Sequence, residues 1–484
     1  MEKHQQNILF KQLTGLQLRQ FGKRKSNWIV FLFFLCTGLY ALYQGYVDKK
    51  AKTVTISAFR QHSDSLLNAM KAGISADTTT AEGKAAYSRS SRLNPGLWNS
   101  RLPSFKLPVS TAIFNIGQGD VFPYYYLFAA ENFEMQWLKQ TEIANPLRSL
   151  SGHFDISFWI VYLLPLMILL LLFNALSGER DNGNWRLIAA QGISEKAWLE
   201  TKLIAVALLA TALLLVIAIA GLVINLAAFG HGFVWSDGLF FLSAAVYLCF
   251  WLSMFYFINT LRRPTAYNAL VSGVAWIAVC FVLPVVISKL AAATVPVDNT
   301  TVSSFSRRPQ DPRIDSDNLF AAGFIKQLAK EEEVYRNADT GTSSPAFYLR
   351  VYHAWHLLLH KERWPVVQQY FHQVEKRQQV TNWSTLINPA ASTDGYLTAL
   401  ADNDAAAFHH FTNETEALHK GLQRTFFGKL FHGNSFSQNE YKSLPEFTYF
   451  RNNLPFSIVA YFVFMMILGT GLMKIANRQL KEML

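Results

Sequence analysis

The chain has 484 residues, 51% hydrophobic and only 16% charged, with a formal net charge of +11. An ordinary soluble domain carries about 25% charged residues, so this composition excludes a water-soluble fold for much of the chain. The three cysteines, Cys36, Cys249 and Cys280, all fall in apolar runs, which excludes a disulfide framework for the polar segments.

Six runs are about as long and apolar as a bilayer-crossing helix requires. They are Trp28–Val47, Ile156–Leu176, Leu203–Ala227, Leu239–Thr260, Ala269–Ser288 and Pro455–Met473, and none contains Asp, Glu, Lys, Arg or His. The expected fold class is an α-helical polytopic membrane protein. Trp28 opens a retained span, because Tyr43, Gln44, Gly45 and Tyr46 lead into Asp48 with no small-residue cleavage site. Lys and Arg in short flanks set orientation. With the N-terminus in the cytoplasm, segments 1–27, 177–202, 261–268 and 474–484 are inside and hold 15 basic against 6 acidic residues. The loop Ala228–Gly238 has no Lys or Arg, whereas Lys49, Lys50 and Lys52 run against the rule. Basicity here is a topology signal and not a sign of nucleic-acid binding.

In chain order, residues 1–27 read as a basic amphipathic helix on the inner leaflet, with Leu9, Phe10, Leu13, Leu16 and Phe21 among Lys11, Arg19 and Lys23–Lys25. Span 28–47 leads into the first extracytoplasmic segment, 48–155. Within it Ser57–Met70 is expected to be helical, Asp77–Ser90 a loop, Val109–Ile116 a strand, Gly117–Asp120 a turn and Tyr124–Tyr126 an aromatic cluster near the membrane. Residues 156–288 hold spans 2 to 5. Pro165 is expected to kink span 2, while Asn225 in span 3 and Pro284 in span 5 are expected to pack against neighbouring helices.

Ser177–Lys202 joins spans 2 and 3 and mixes Glu179, Arg180, Asp181, Arg186, Glu195, Lys196 and Glu200 with Trp185, Leu187, Ile188 and Trp198. Its length allows about one short helix across the membrane face. It is read as a docking surface, against the plainer alternative of an interfacial segment touching only headgroups.

The second extracytoplasmic domain, 289–454, is expected to be mainly helical. Its helices are placed at Phe320–Asn337, Ala346–His360, Trp364–Gln379 and Ala401–Phe431, with a loop at Asn388-Pro389 and a return through Leu444–Tyr449. Span 6, 455–473, precedes a cytoplasmic tail, 474–484.

Catalytic motifs are missing. His353, His356 and His360 lie near one helical face and His409-His410 sit on another helix, but no HExxH or paired CxxC joins them. They are expected to be solvated or interfacial. Gly83-Lys84 and Gly428-Lys429 lack the rest of a phosphate loop, and no GxSxG occurs. The spans carry no ionisable residue of the kind that ion-coupled transport uses. Work would therefore enter from a separate subunit through 177–202.

That loop resembles the inner loop of type-2 ABC exporter permeases, through Glu179-Arg180, Gly183, Leu187, Gln191-Gly192, Lys196 and Lys202. Asn184-Trp185 and Ala190-Gln191-Gly192 depart from the Thr-Leu and proline-containing turn common there. Over nearly the whole chain, Gly117-Gln118-Gly119-Asp120 with Pro123-Tyr124-Tyr125, Asn145-Pro146-Leu147 with Gly152-His153-Phe154-Asp155, and Asn388-Pro389 before His409-His410 resemble a subfamily with two large extracytoplasmic segments. The resemblance implies a homo- or heterodimer of permeases in the bacterial inner membrane. Its partners would be two cytoplasmic ABC ATPase subunits that hold ATP and Mg, the membrane lipid and, in the alternative reading, an envelope partner. No cofactor, metal or catalytic residue is expected in this chain, which would not itself be an enzyme. Glu179, Arg180, Gly183, Trp185, Leu187 and Gln191 are the expected ATPase-coupling residues. The substrate stays open, because relatives move lipids, polysaccharides, peptides or drugs. A non-transporting relay, in which ATP-driven motion moves the extracytoplasmic domains, is the first rival. A membrane enzyme using the extracytoplasmic histidines is the second.

Overall fold

Among the described residues, six helices are long and apolar enough to cross a membrane: Lys25–Ile74, Ile156–Asp181, Glu195–Phe229, Trp235–Thr260, Thr265–Thr294 and Ala460–Leu480. They are called spans 1 to 6 below. The architecture, seen in a computed structural model, is that of a mainly helical multi-pass membrane protein. It describes residues 2–91, 102–119, 122–128, 154–297, 317–343, 346–385, 388–432, 437, 439, 447–449 and 457–481. The expected features at Asp120, Asn145-Pro146-Leu147, Gly152-His153 and Leu444–Glu446 lie outside these residues. One end of the bundle carries residues 177–202 and is called the loop end. The opposite, domain end carries the described residues among 102–128, 317–432 and 447–449.

Span 1 is part of one helix of 50 residues. At 1.5 Å per residue it is about 75 Å long, more than twice the apolar thickness of about 30 Å. The expected helix at Ser57–Met70 is its continuation beyond the membrane. The expected loop at Asp77–Ser90 is instead mostly helix, Ala81–Ser91. Thr80 Oγ1 accepts from Gly83 N at 3.0 Å and so satisfies an orphan donor of its first turn. Gly73 lets the hairpin close, since a Cβ there would meet Ser90 and the Ala86 carbonyl.

The prolines of spans 2 and 5 each follow a π-helical segment, Trp159–Leu163 and Ala278–Val282. Pro165 has no N–H to offer the carbonyl of Val161, four residues earlier. The Tyr247 hydroxyl of span 4 donates to that carbonyl at 2.9 Å instead. The carbonyl that Pro165 leaves free is thus satisfied by span 4. One core runs through the bundle, with Phe34, Trp159, Met167, Ile217, Tyr247 and Trp251 almost fully buried.

The N-terminal helix Glu2–Lys23 forms as expected. Leu13 and Gln17 are buried, however, and Leu13 joins the bundle core. Part of the helix therefore packs on protein as well as facing outward with Leu16.

At the domain end a small sheet runs β2-β1-β3. β1 (Leu102–Lys106) is antiparallel to β2 (Tyr125–Phe128), with Phe105 opposite Tyr125. It is parallel to β3 (Phe447–Tyr449), with Ser104 opposite Phe447. The two polar segments, far apart in sequence, are therefore one folded unit. Val109–Ile116 is not a strand. Ser110–Ile113 is a short 3-10 turn, wholly buried, and its Ile113 carbonyl lies where a Cβ on Gly45 would be. β-branched residues here serve burial against span 1, which overrides their strand preference.

A second core of Tyr126, Ile325, Phe347, Val351, Val367, Phe411 and Phe431 fills the domain. Its helices are Asn318–Glu331, Phe347–Thr385, Pro389–Leu400 and Ala405–His432. The expected break between His360 and Trp364 does not occur, although Pro365 lies inside the second of these helices. An interior proline costs about 3 kcal/mol. Trp364 and Val367, both buried on either side of it, offset that cost.

Candidate functional site

The loop end is a braced platform. Span 2 closes through two short helices, Ser177–Asp181 and Trp185–Ala190, where about one was expected. Gly183 and Gly192 end them at φ +75° and +76°, a left-handed conformation that glycine adopts without steric cost. Ser194 then caps helix Glu195–Phe229, its hydroxyl accepting from Ala197 N at 3.2 Å. Glu195 is the hub. It pairs with Arg180 of the loop and, at 2.7 Å, with Arg262 of the turn between spans 4 and 5. Asp181 accepts from Thr265 N at 3.0 Å and Ser177 meets the Thr265 hydroxyl at 3.0 Å. Asn259 of span 4 donates to Leu172 O at 2.9 Å. Charges at the platform edge are thus tied to spans 3, 4 and 5.

The six expected coupling residues separate on this platform. Leu187 is 69% exposed, and Gln191 and Gly183 are also exposed. Glu179 is half-buried and accepts from Asn184 at 3.3 Å. Trp185, expected to face a docked ATPase, is half-buried against the bundle core. Arg180 is engaged by Glu195. Trp198 is 4% exposed, and its indole donates to Ala175 O at 3.3 Å. The helical turn carries both tryptophans inward and leaves Leu187 as the large apolar side chain facing out.

The domain end presents a wedge that sequence reading missed. Asn388-Pro389, expected in a loop, instead starts helix Pro389–Leu400. Asn388 accepts from Ala390 N at 3.0 Å and Pro389 occupies the first turn. An N-capping Asn followed by Pro was the available signal. The helix inserts among the ends of spans 2, 4, 5 and 6. Ala390, Tyr396, Leu397 and Leu400 belong to the bundle core, not to the domain core. Thr393 donates to Pro389 O at 2.7 Å and meets the Tyr461 hydroxyl of span 6 at 2.8 Å, and Tyr461 reaches Ser243 O of span 4 at 3.3 Å.

Residues 110–118 lock this wedge from the side. Thr111 donates to Leu400 O at 2.7 Å, and Asn403 donates to Asn115 O at 2.6 Å. Lys106 and Asp402 form a buried ion pair at 2.8 Å. Gly117 takes φ +51°, with Thr398 and Asn403 side chains 2.7 and 3.2 Å from where a Cβ would stand. Asp155 starts span 2 by accepting from Phe158 N and Ile116 N, each at 2.8 Å. Burial, with the nearby Asp155 charge, pushes the Asp394 carboxyl of the wedge up to about 7.

A polar node stands beside the wedge. Lys49 Nζ is fully buried and donates to Asn225 Oδ1 at 2.9 Å and Ser110 O at 3.3 Å. Ser110 in turn donates to Asp237 at 2.9 Å. Lys49 thus belongs to the protein interior, which is why it stands outside the charge rule. Asn225 packs between helices as expected.

The histidines are not solvated as expected. His353, His356, His360 and His409 are buried in the domain, while His410 is exposed. His353 lies over Phe427 with ring centres 3.9 Å apart, and His360 meets Glu416 at 3.1 Å. Desolvation holds His353 well below its usual pKa and His409 down at about 4. Among the described residues, no three His, Cys, Asp or Glu side chains converge as a metal site would require.

Residues 326–450 match a family described as a domain of unknown function (DUF3526). This is about a quarter of the chain and contains the wedge helix and both long domain helices. No curated protein and no solved structure matches the chain.

Proposed function

We propose that the chain is the transmembrane permease subunit of an ATP-binding-cassette exporter, taking mechanical work from a separate cytoplasmic ATPase that holds ATP and Mg. The observation carrying this reading is the braced platform. Glu195 ties the loop to the turn between spans 4 and 5, so force on Leu187 reaches spans 2 to 5 together. In this reading the loop end is cytoplasmic, the membrane is the bacterial inner membrane, and a second permease copy or paralogue completes the transport path.

The wedge favours a second reading. A helix of the domain is seated in the bundle core, so motion of the spans would move the domain directly. The chain would then act as a relay on an envelope partner without passing a substrate.

Both readings require a docked ATPase. An exposed interface anchor that fills a partner pocket contributes about 2 kcal/mol, close to 30-fold in affinity. Leu187→Asp is expected to weaken co-purification of the ATPase by about that factor while the chain still inserts. Trp185→Ala is expected to act chiefly on the platform's own stability. Recovery of no ATPase with the wild-type chain from native membranes would end both readings. ATP-driven uptake of a labelled candidate into inverted vesicles separates export from relay.

A further inference from the structure

A groove of about 470 Å³ lies between spans 1 and 3 on the side of the bundle. Leu39, Tyr43 and Tyr46 of span 1 face Ala220, Ile224 and Ala227 of span 3 across it. The alanines make the room. The volume lies within the range of about 300–1,000 Å³ common for small-molecule sites.

Two basic side chains stand just beyond the lining residues Tyr46 and Ala228. Lys50 continues the Leu39, Tyr43, Tyr46 stripe by one turn, and His231 lies past the end of span 3, beyond its left-handed cap Gly230. Both are exposed. A chain of aromatic contacts links them to Tyr46 of the groove. Lys50 Nζ lies 5.6 Å from the Tyr46 ring centre, Tyr46 is 5.9 Å from Phe229, and Phe229 is 6.4 Å from His231.

The buried Lys49 orients the histidine. Its Nζ stands 3.2 Å from His231 Nδ1. An ammonium only donates, so Nδ1 is the acceptor and the ring hydrogen lies on Nε2. That leaves the His231 Nε2–H as a free-facing donor and Lys50 as an exposed ammonium, both connected to the groove through the rings of Phe229 and Tyr46.

We propose that this groove is a binding site for one anionic phospholipid, with an acyl chain between spans 1 and 3 and its phosphate at Lys50 and His231. Charge complementarity selects this occupant over a neutral lipid. The apolar lining, open along a lipid-facing side, selects it over a free anion.

The test uses the full-length purified chain. After delipidation it is offered phosphatidylglycerol or phosphatidylcholine of identical acyl chains, and bound lipid is counted by native mass spectrometry. Wild type is expected to retain one phosphatidylglycerol per chain and far less phosphatidylcholine. Lys50→Gln should lower phosphatidylglycerol retention about fivefold, the weight of one basic side chain at an anionic surface. Ala227→Phe should abolish it by filling the slot. Val223→Phe, on an exposed face outside the groove, should leave it unchanged. Equal retention of the two lipids, or retention that survives Ala227→Phe, overturns the proposal. So does an Ala227→Phe chain that loses self-association while keeping its lipid, because a second copy would then be the occupant. All of these residues are exposed or line the open groove, so misfolding does not confound the comparison.

Discussion

The two ends of the bundle are held together by different physics. At the loop end, partly exposed ion pairs and end-of-helix hydrogen bonds fix two short helices, and Glu195 serves two arginines at once. At the domain end, apolar burial dominates. A helix from residue 389 onward has left its own domain's core and joined that of the spans. The loop end therefore suits small, reversible adjustment, and the domain end suits rigid transmission.

The largest expected effect tests the rigidity of the wedge. Leu397 is fully buried in the bundle core. Leu397→Ala should cost about 2–5 kcal/mol, seen as a lower midpoint of thermal unfolding in detergent. If the wedge were loosely seated, the change would be near zero.

Acid should act next, and only at the domain end. His409 is held neutral by burial, with its pKa moved from 6.5 to about 4. The folded state therefore binds fewer protons than the unfolded state in this window. The stability it contributes is full above pH 6.5 and is lost as pH falls toward 4. That shift corresponds to about 3 kcal/mol, and His353 acts in the same direction. Protease sensitivity of helices Phe347–Thr385 and Ala405–His432, which hold His353 and His409, should rise between pH 6.5 and 4 before that of the spans. The wedge, whose Asp394 carboxyl is pushed up to about 7, should instead gain stability over the same window. His409→Phe should flatten the dependence of the two helices. Equal loss at both ends would erase the contrast.

A smaller effect is expected at the loop. Glu195→Ala leaves Arg180 and Arg262 without their shared carboxylate. Because these side chains remain 17–26% exposed, water compensates in part and the cost should be about 1–2 kcal/mol. Faster cleavage within 177–194, with little change in the global unfolding midpoint, would show that the brace is local.

The last prediction orients the contrast in the membrane. In a background without Cys36, Cys249 and Cys280, new cysteines at Thr78 and Ser343 should react with an impermeant thiol reagent in intact cells. One at Ala190 should not. All three positions are exposed. Labelling at Ala190 alone would invert the orientation.

Hydropathy and its interruptions by themselves determined the six helices, because a bilayer demands about 20 apolar residues whatever the neighbours are. The position of the loop was also legible there, since it follows from where the apolar runs end. The inward turn of Trp185 and the capture of Arg180 by Glu195 were not. They depend on which face of a short helix meets the bundle and on an arginine from a different turn. The wedge carried its own cap signal at Asn388-Pro389. Its destination was set by burial in the bundle core and by contact with Tyr461 of span 6, which no pattern within residues 388–400 encodes. The buried histidines teach the same lesson: spacing put them on one face, and only packing against Phe427 and Glu416 decided that the face turns inward. Local sequence specifies most of the helices, although burial against span 1 overrode it at Val109–Ile116. Long-range burial, gained only when distant segments meet, decides where they go.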